Sequence, residues 1–167
     1  MILSSEEVRK LIEEKKMVEG FIDLDKQLQQ SGIDLSLEKV YELDGKGVID
    51  FENKERSFPS ANEMEFNEND LIHLKKGCYK VRFNETVKIP AEIAAIARSR
   101  SSLLRMGCTV ETALWDPGFE GKSESLLIVS NEKGIELKRN ARIIQLIFFR
   151  LSSEAGKLYD GIHKNIK

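Results

Sequence analysis

The residues best equipped for chemistry crowd into Ala97 to Gly121, ARSRSSLLRMGCTVETALWDPGFEG. Three guanidiniums, Arg98, Arg100 and Arg105, flank the hydroxyl pair Ser101 and Ser102. Either serine can cap a one-turn helix through Leu103, Leu104, Arg105 and Met106, which Gly107 then ends. A helix start carries free backbone N–H groups, and with two hydroxyls and a guanidinium beside it makes a site for an anion. The same run also suits a solvated basic turn, and the stretch by itself leaves both readings open.

Asp116 comes sixteen residues after Arg100 and is followed by Pro117, Gly118 and Phe119. Pro then Gly fits the central positions of a type II turn, so Asp116 ends a strand with its carboxylate near the surface. There it can accept backbone N–H bonds that start the turn, or be left to act on a bound molecule.

Elements must hold these groups in place. Ser4 and Glu7 form a capping box, and Val8, Leu11 and Ile12 follow at helical spacing until Lys15 and Lys16, which predicts a short amphipathic helix docked on a sheet. Phe21, Ile22 and Leu24 suit a short strand, whereas Lys26 to Ser31 supports no assignment. From Ile33 the pattern alternates, with Ile33, Leu35 and Leu37 on one face and Asp34, Ser36 and Glu38 on the other, so the Asp34 carboxylate is expected away from the packed side. Val40 to Leu43 and Val48 to Phe51 flank Asp44-Gly45-Lys46-Gly47, a hairpin signal, and Glu52 to Asn62 reads as a surface loop.

Short strands are then predicted at Leu71 to Leu74, Cys78 to Phe83 and Val87 to Ile89. His73, between Ile72 and Leu74, has no carboxylate near it in sequence and reads as an ordinary strand residue. Ala91 to Ala97 is helical by propensity, but the alternation of Ile93, Ala95 and Ala97 favours a strand. Further strands are expected at Glu124 to Val129, at Ile135 to Leu137 and at Ile143 to Leu151. The last of these is almost continuously apolar and reads as buried on both faces, which obliges Gln145 to find a partner in backbone or in a bound ligand. Residues 152–167, with Gly156, Gly161 and Lys164, read as a mobile C-terminal arm after one domain over residues 1–151. Many short strands with one small helix argue an all-β fold.

The chain's 167 residues suffice for one core. Twenty-six basic and 28 acidic residues leave a net charge of −2, so no global basic field draws in nucleic acid, and a polyanion must be held by local positive charge. Cys78 and Cys108 lie far apart with no CxxC spacing, which argues against a zinc site and against the zinc-dependent nucleobase deaminases. With no apolar leader and no run of eighteen apolar residues, the chain reads as a soluble cytoplasmic protein with no membrane partner.

Arg100-Ser101-Ser102-Leu103, Asp116-Pro117-Gly118-Phe119-Glu120-Gly121 and Arg142-Ile143-Ile144-Gln145-Leu146 together resemble the dUTPase and dCTP deaminase superfamily in order and spacing. Gly32-Ile33-Asp34-Leu35-Ser36 is similar to the family's first motif, and Tyr159-Asp160-Gly161-Ile162-His163 is a looser match to its C-terminal arm. The resemblance implies a distorted jelly roll of the dUTPase-like β-clip kind with a short N-terminal helix, assembled as a homotrimer with active sites between subunits. It implies a dUTP diphosphatase, with Arg100, Ser101, Ser102 and Arg105 around the phosphates. Asp116 and Gln145 would fix the attacking water, and Asp34 would support Mg²⁺ through water. Phe119 would pack on deoxyribose, main chain at Thr109, Val110, Thr112 and Ala113 would read the base, and Tyr159, Gly161, His163 and Lys164 would close over the substrate.

Asp-Pro-Gly-Phe is closer to the deaminase branch of that family. Deaminases, however, carry a glutamate ten positions after the aspartate, where this chain has Leu126, and leucine moves no proton. Glu124, two residues earlier on the same strand face, is the one nearby substitute. The alternatives to a dUTP diphosphatase are therefore a dCTP deaminase, alone or bifunctional, and a nucleotide-binding homologue without catalysis.

Overall fold

The computed structural model describes residues 1–164. The elements, in chain order, are α1 (Ser5–Lys15), β1 (Val18–Glu19), α2 (Leu24–Gln27), β2 (Leu28–Gln29), β3 (Gly32–Asp44), β4 (Ser60–Met64), β5 (Leu71–Leu74), β6 (Gly77–Lys88), β7 (Ile93–Ser99), α3 (Ser101–Arg105), β8 (Cys108–Glu111), β9 (Glu120–Val129), β10 (Ile135–Lys138) and β11 (Arg142–Arg150). The fold is all-β with a short N-terminal helix, as the strand periodicity predicts. One sheet runs β7-β11-β3-β6-β9-β8, with β1 added to β6 and β2 and β4 added to β3, while β10 and β5 pair separately.

Helix α1 begins at the expected capping box, with the Ser4 side chain accepting from Glu7 N–H and the Glu7 carboxylate accepting from Ser4 N–H. It ends at Lys16 in the left-handed conformation and buries Val8, Leu11 and Ile12 against the sheet. Burying three aliphatic side chains stabilises the docked helix by several kcal/mol, at about 1.5–3 kcal/mol each.

Strand β3 is the axis of the sheet. Its first half pairs with β11 through Ile33, Asp34, Leu35 and Ser36, and its second half pairs with β6 and β4. A strand that passes between two pairing systems is covered on both sides, and every residue from Gly32 to Leu37 is buried. The expected outward carboxylate of Asp34 is therefore a correction: Asp34 is 1% exposed. Alternation in sequence separates the two faces of a strand but does not say that one of them meets water.

Other expectations change for equally local reasons. Phe21 to Leu24 is not a strand, because Asp23 caps the one-turn helix α2 through its side chain. Asp44-Gly45-Lys46-Gly47 does not turn a hairpin of two long strands; Val48 makes only an isolated bridge to Ser57, and the strand returning along β3 is β4. Strand β11 buries Ile144, Leu146 and Phe148 but leaves Gln145, Ile147 and Phe149 half-exposed, so one of its faces is only partly covered within the chain. Ile147 lies in register with Ile96 of β7, which is also exposed. The strand predicted over Ala91 to Ala97 is present as β7.

After β11 no regular element occurs among the described residues. It folds back on the same subunit, with Leu151 N–H donating to Glu92 O, Ala155 N–H to Ala91 O and Tyr159 N–H to Pro117 O. The part of the predicted arm at residues 165–167 lies outside the described residues. No helix among the described residues is long and apolar enough to cross a membrane.

Candidate active site

The turn after Trp115 has the predicted geometry. Gly118 sits at φ +86°, and Phe119 N–H donates to the Asp116 main-chain carbonyl at 3.0 Å. The turn is thus closed by the backbone of Asp116, and its side-chain carboxylate has no hydrogen bond or ion pair among the described residues. The segment before it is held by Ala95 and Trp115, whose N–H and C=O groups bond reciprocally at 3.0 and 2.9 Å. The Trp115 indole is buried and donates to Ser123 Oγ at 2.6 Å. Asp116 is thereby fixed at the edge of a cleft of about 410 Å³, whose walls include Ala113, Phe119, Lys122, Glu124, Tyr159 and His163.

The arm forms part of that cleft. The Tyr159 ring meets Phe119 edge to face at 5.6 Å between centroids, and His163 meets Phe58 in the same way at 5.9 Å. Lys164 Nζ donates to Tyr159 O. This close seating depends on Gly118, where a Cβ would stand 2.7 Å from Leu158 Cβ and 3.1 Å from Tyr159 N. Gly118→Ala is expected to lift the arm off the turn and to cost about 1–3 kcal/mol, from the positive φ and the overlap together. Faster proteolysis within residues 152–164, with a lower thermal midpoint, is the measurement that checks it.

The second group gathers around Asp34. One of its oxygens, Oδ2, receives Arg100 Nε at 3.0 Å and Arg142 Nη1 at 3.3 Å, while Oδ1 is buried without a partner. Arg100 also donates to the Arg142 carbonyl at 3.3 Å, and Arg142 to the Lys26 carbonyl. Burial pushes the Asp34 carboxyl above its ordinary range, and the charges of Arg100 and Arg142 only partly offset this. Gln145 lies beside Asp34 on β11, with Arg98 opposite it on β7. Pairing in register puts these three side chains on one face of the sheet.

Helix α3 corrects another expectation. Its N-cap is Arg100, which makes no side-chain capping bond, and Ser101 and Ser102 lie inside the first turn with exposed hydroxyls. Either serine could cap this helix by its position, but no side-chain cap bond forms. Arg105, in the last turn, is exposed as well. Gly107 ends the helix at φ +75°, as predicted.

Thr109, Val110, Thr112 and Ala113 line a neighbouring groove of about 260 Å³ with Arg98, Ser99 and Leu104. Ser99 Oγ accepts from Val110 N–H at 2.7 Å and fixes this segment against β7. Ala113 and Leu114 are common to the groove and to the Asp116 cleft. Arg100, Ser101, Ser102 and Gln145 line neither space. The predicted residues thus do not share one space: Phe119, Tyr159 and His163 join Asp116 in the cleft, Thr109, Val110, Thr112 and Ala113 line the groove, and Arg100 and Gln145 sit with Asp34.

A model of the dCTP deaminase-like family matches residues 2–151. The chain belongs to that family. It is 49% identical over 165 residues to a protein of Methanosarcina acetivorans named probable deoxyuridine 5'-triphosphate nucleotidohydrolase, a match that covers 98% of this chain and 96% of that one. It is 43% identical over 141 residues to the deoxyuridine 5'-triphosphate nucleotidohydrolase of Methanocaldococcus jannaschii, covering 84% and 88%. Among solved structures it is similar to the 2'-deoxycytidine 5'-triphosphate deaminase of Agrobacterium tumefaciens, with a TM-score of 0.65 and 25% identity over 88% of this chain. The chain spans about half the length of that deaminase, since the match covers 47% of it.

Within this dCTP deaminase-like chain, Glu124 is half-buried on the cleft side of β9 and ion-paired with Lys80 at 2.9 Å. Leu126 follows on the same face, one pleat further along. Next to them Glu38 binds Lys122 and Arg82 at 2.5 and 2.6 Å. Burial pushes the Glu38 carboxyl up, but those two donors outweigh it and hold it below the usual range.

The residues do not fit a resident Mg²⁺. A hard cation of that kind needs several oxygen ligands. The described residues contain no group of three His, Cys, Asp or Glu side chains that could hold a metal ion. Two guanidiniums already face the Asp34 carboxylate, and their charge repels a cation.

Arg142 stands in the sequence motif, but its spacing gives no hint that it meets Asp34, 108 residues away. The same holds for Gln27 and Glu85, whose buried bonds lie behind Asp34.

Proposed function

We propose that the chain is a dUTP diphosphatase, hydrolysing dUTP to dUMP and pyrophosphate. The relatives of nearly equal length that carry this activity in their names support the reading. The observation that carries it is the state of the two carboxylates in the cleft: Asp116 is unpartnered among the described residues, whereas Glu124 is occupied by Lys80. A carboxylate with free oxygens can orient a water and take its proton. One bound to an ammonium, beside a leucine, is poorly placed for the proton transfers of deamination.

In this reading Arg100, Ser101, Ser102 and Arg105 grip the phosphates with charge-assisted bonds. Gln145 helps fix the water that Asp116 activates. Phe119 packs on the sugar, and Thr109, Val110, Thr112 and Ala113 present main chain to the base. Tyr159, Gly161 and His163 cover the bound nucleotide and exclude water. Magnesium enters with the triphosphate as part of the substrate.

The separation of the Asp116 cleft from the arginine-serine turn supports a homotrimer in which one subunit's phosphate grip completes its neighbour's cleft. So does the incompletely covered apolar surface at Ile96, Ile147 and Phe149. Purified protein given dUTP and, separately, dCTP in the presence of Mg²⁺ tests the activity. Pyrophosphate is expected from dUTP with dCTP unaltered; deoxyuridine nucleotide formed from dCTP would overturn the assignment of Glu124 and Leu126.

A further inference from the structure

The hydrogen-bond ladders slip at three places that meet behind Asp34. Register shifts between Arg142 and Ile144 where β11 meets β3, between Leu37 and Lys39 where β3 meets β6, and between Arg82 and Thr86 where β6 meets β9. At such irregularities buried N–H groups lose their strand partners and need another acceptor. Ser36, 1% exposed, finds one in Glu85, whose Oε2 accepts from Ser36 N–H at 2.9 Å.

Glu85 is fully buried, and its other oxygen accepts from Ser36 Oγ at 2.6 Å and from Gln27 Nε2 at 2.7 Å. Gln27 also donates to the Asp34 carbonyl at 2.9 Å, and its own oxygen accepts from the N–H groups of Ile22 and Asp23. The bonds thus seize β3 on both sides of Leu35, at residue 36 directly and at residue 34 through Gln27. No ion pair to Glu85 is present among the described residues, so every partner on the carboxylate is a neutral donor. A buried carboxylate without a cation is an expensive way to satisfy three donors, and stability alone does not call for it.

We propose that Glu85 is a positioning residue for the phosphate grip: by clamping the backbone on either side of Leu35, it aims the Asp34 carboxylate and so sets the guanidinium forks of Arg100 and Arg142. The proposal rests on the reading of Arg100 as a phosphate-binding residue.

Glu85→Gln tests it with little change of shape. The amide turns a donor toward Ser36 N–H or Gln27 N–H, where an acceptor is required. Affinity for inorganic pyrophosphate, measured by calorimetry, is expected to fall about tenfold, with the KM for dUTP rising by a similar factor and kcat changing less, as is usual for groups that orient direct ligands. In an Asp34→Asn background the same substitution is expected to have less than about a twofold further effect, because the group it aims is gone. A merely structural role would give the same factor in both backgrounds.

Should Glu85→Gln fail to fold, Gln27→Leu cuts the link to Asp34 while leaving Glu85 bound to Ser36, and a several-fold loss of pyrophosphate affinity is expected from it. Wild-type affinity in both variants, equal losses with and without Asp34, or no pyrophosphate binding by the wild type would each overturn the proposal. A wild type that binds pyrophosphate through Arg100 yet leaves dUTP intact would instead overturn the dUTP diphosphatase reading and leave the role of Glu85 standing.

Discussion

Asp116→Asn is expected to lower kcat for dUTP by about 10²–10⁴-fold while leaving the affinity for a nonhydrolysable dUTP analogue within a few-fold of wild type. The size follows from what a positioned general base contributes. The separation of binding from turnover follows from the geometry. The turn is closed by the Asp116 carbonyl, not by its carboxylate, so the amide replaces the side chain without disturbing a bond that holds the turn. Asparagine keeps the shape and one acceptor but cannot take up the proton that water must lose. Single-turnover kinetics alongside an equilibrium titration with the analogue measure both quantities. An unchanged rate would remove Asp116 from the mechanism, and the water would then have to be activated by another group.

The second large effect is expected from Arg100→Ala, which should raise the KM for dUTP by about tenfold to a hundredfold, the range of one lost charge-assisted hydrogen-bond set. It should also change how stability depends on pH. Burial already raises the Asp34 carboxyl above its ordinary range, and Arg100 is the first of two charges pulling it down. Without Arg100 the folded value rises further. A carboxyl raised in the folded state contributes its stability below the unfolded value and loses it as pH climbs through the folded value. The variant is therefore expected to be destabilised more at about pH 7 than at about pH 5. Denaturant titrations of wild type and variant at the two values measure the difference, and equal destabilisation at both would argue that Arg100 does not hold Asp34.

The same sign applies to the grip on phosphate in the unaltered protein. As pH falls through the raised value of Asp34, the carboxylate is neutralised and its hold on both guanidiniums weakens. The loss of affinity in acid should therefore begin above the usual carboxylate range.

Function and stability pull apart at this site. Asp34 and Glu85 are both buried, and burial raises both carboxyls, so ionising either one comes at a cost to the fold. Asp34 recovers part of that cost from two arginines, and Glu85 from neutral donors on Ser36 and Gln27. Such a pair of carboxylates, one behind the other, makes physical sense where the direction of a guanidinium matters more than a few kcal/mol of stability.

Several features of this protein follow from neighbours in the chain and were therefore legible without a fold. Ser4 and Glu7 start α1 because a capping box closes over four residues; Pro117-Gly118 sets the turn at Asp116 because only glycine enters its φ freely; the alternation of Ile93, Ala95 and Ala97 gives β7. Other features depend on what is brought against a segment from far away. Periodicity assigned Asp34 to the face opposite Ile33 and Leu35, but that face is closed over by Arg100 and Arg142. Apolar continuity made β11 a doubly buried strand, yet one of its faces is only partly covered. Local order is written in short-range sterics and hydrogen bonds. The ion pairs and buried bonds that aim the arginines form between strands tens of residues apart, and only the sheet's topology decides which carboxylate meets which guanidinium.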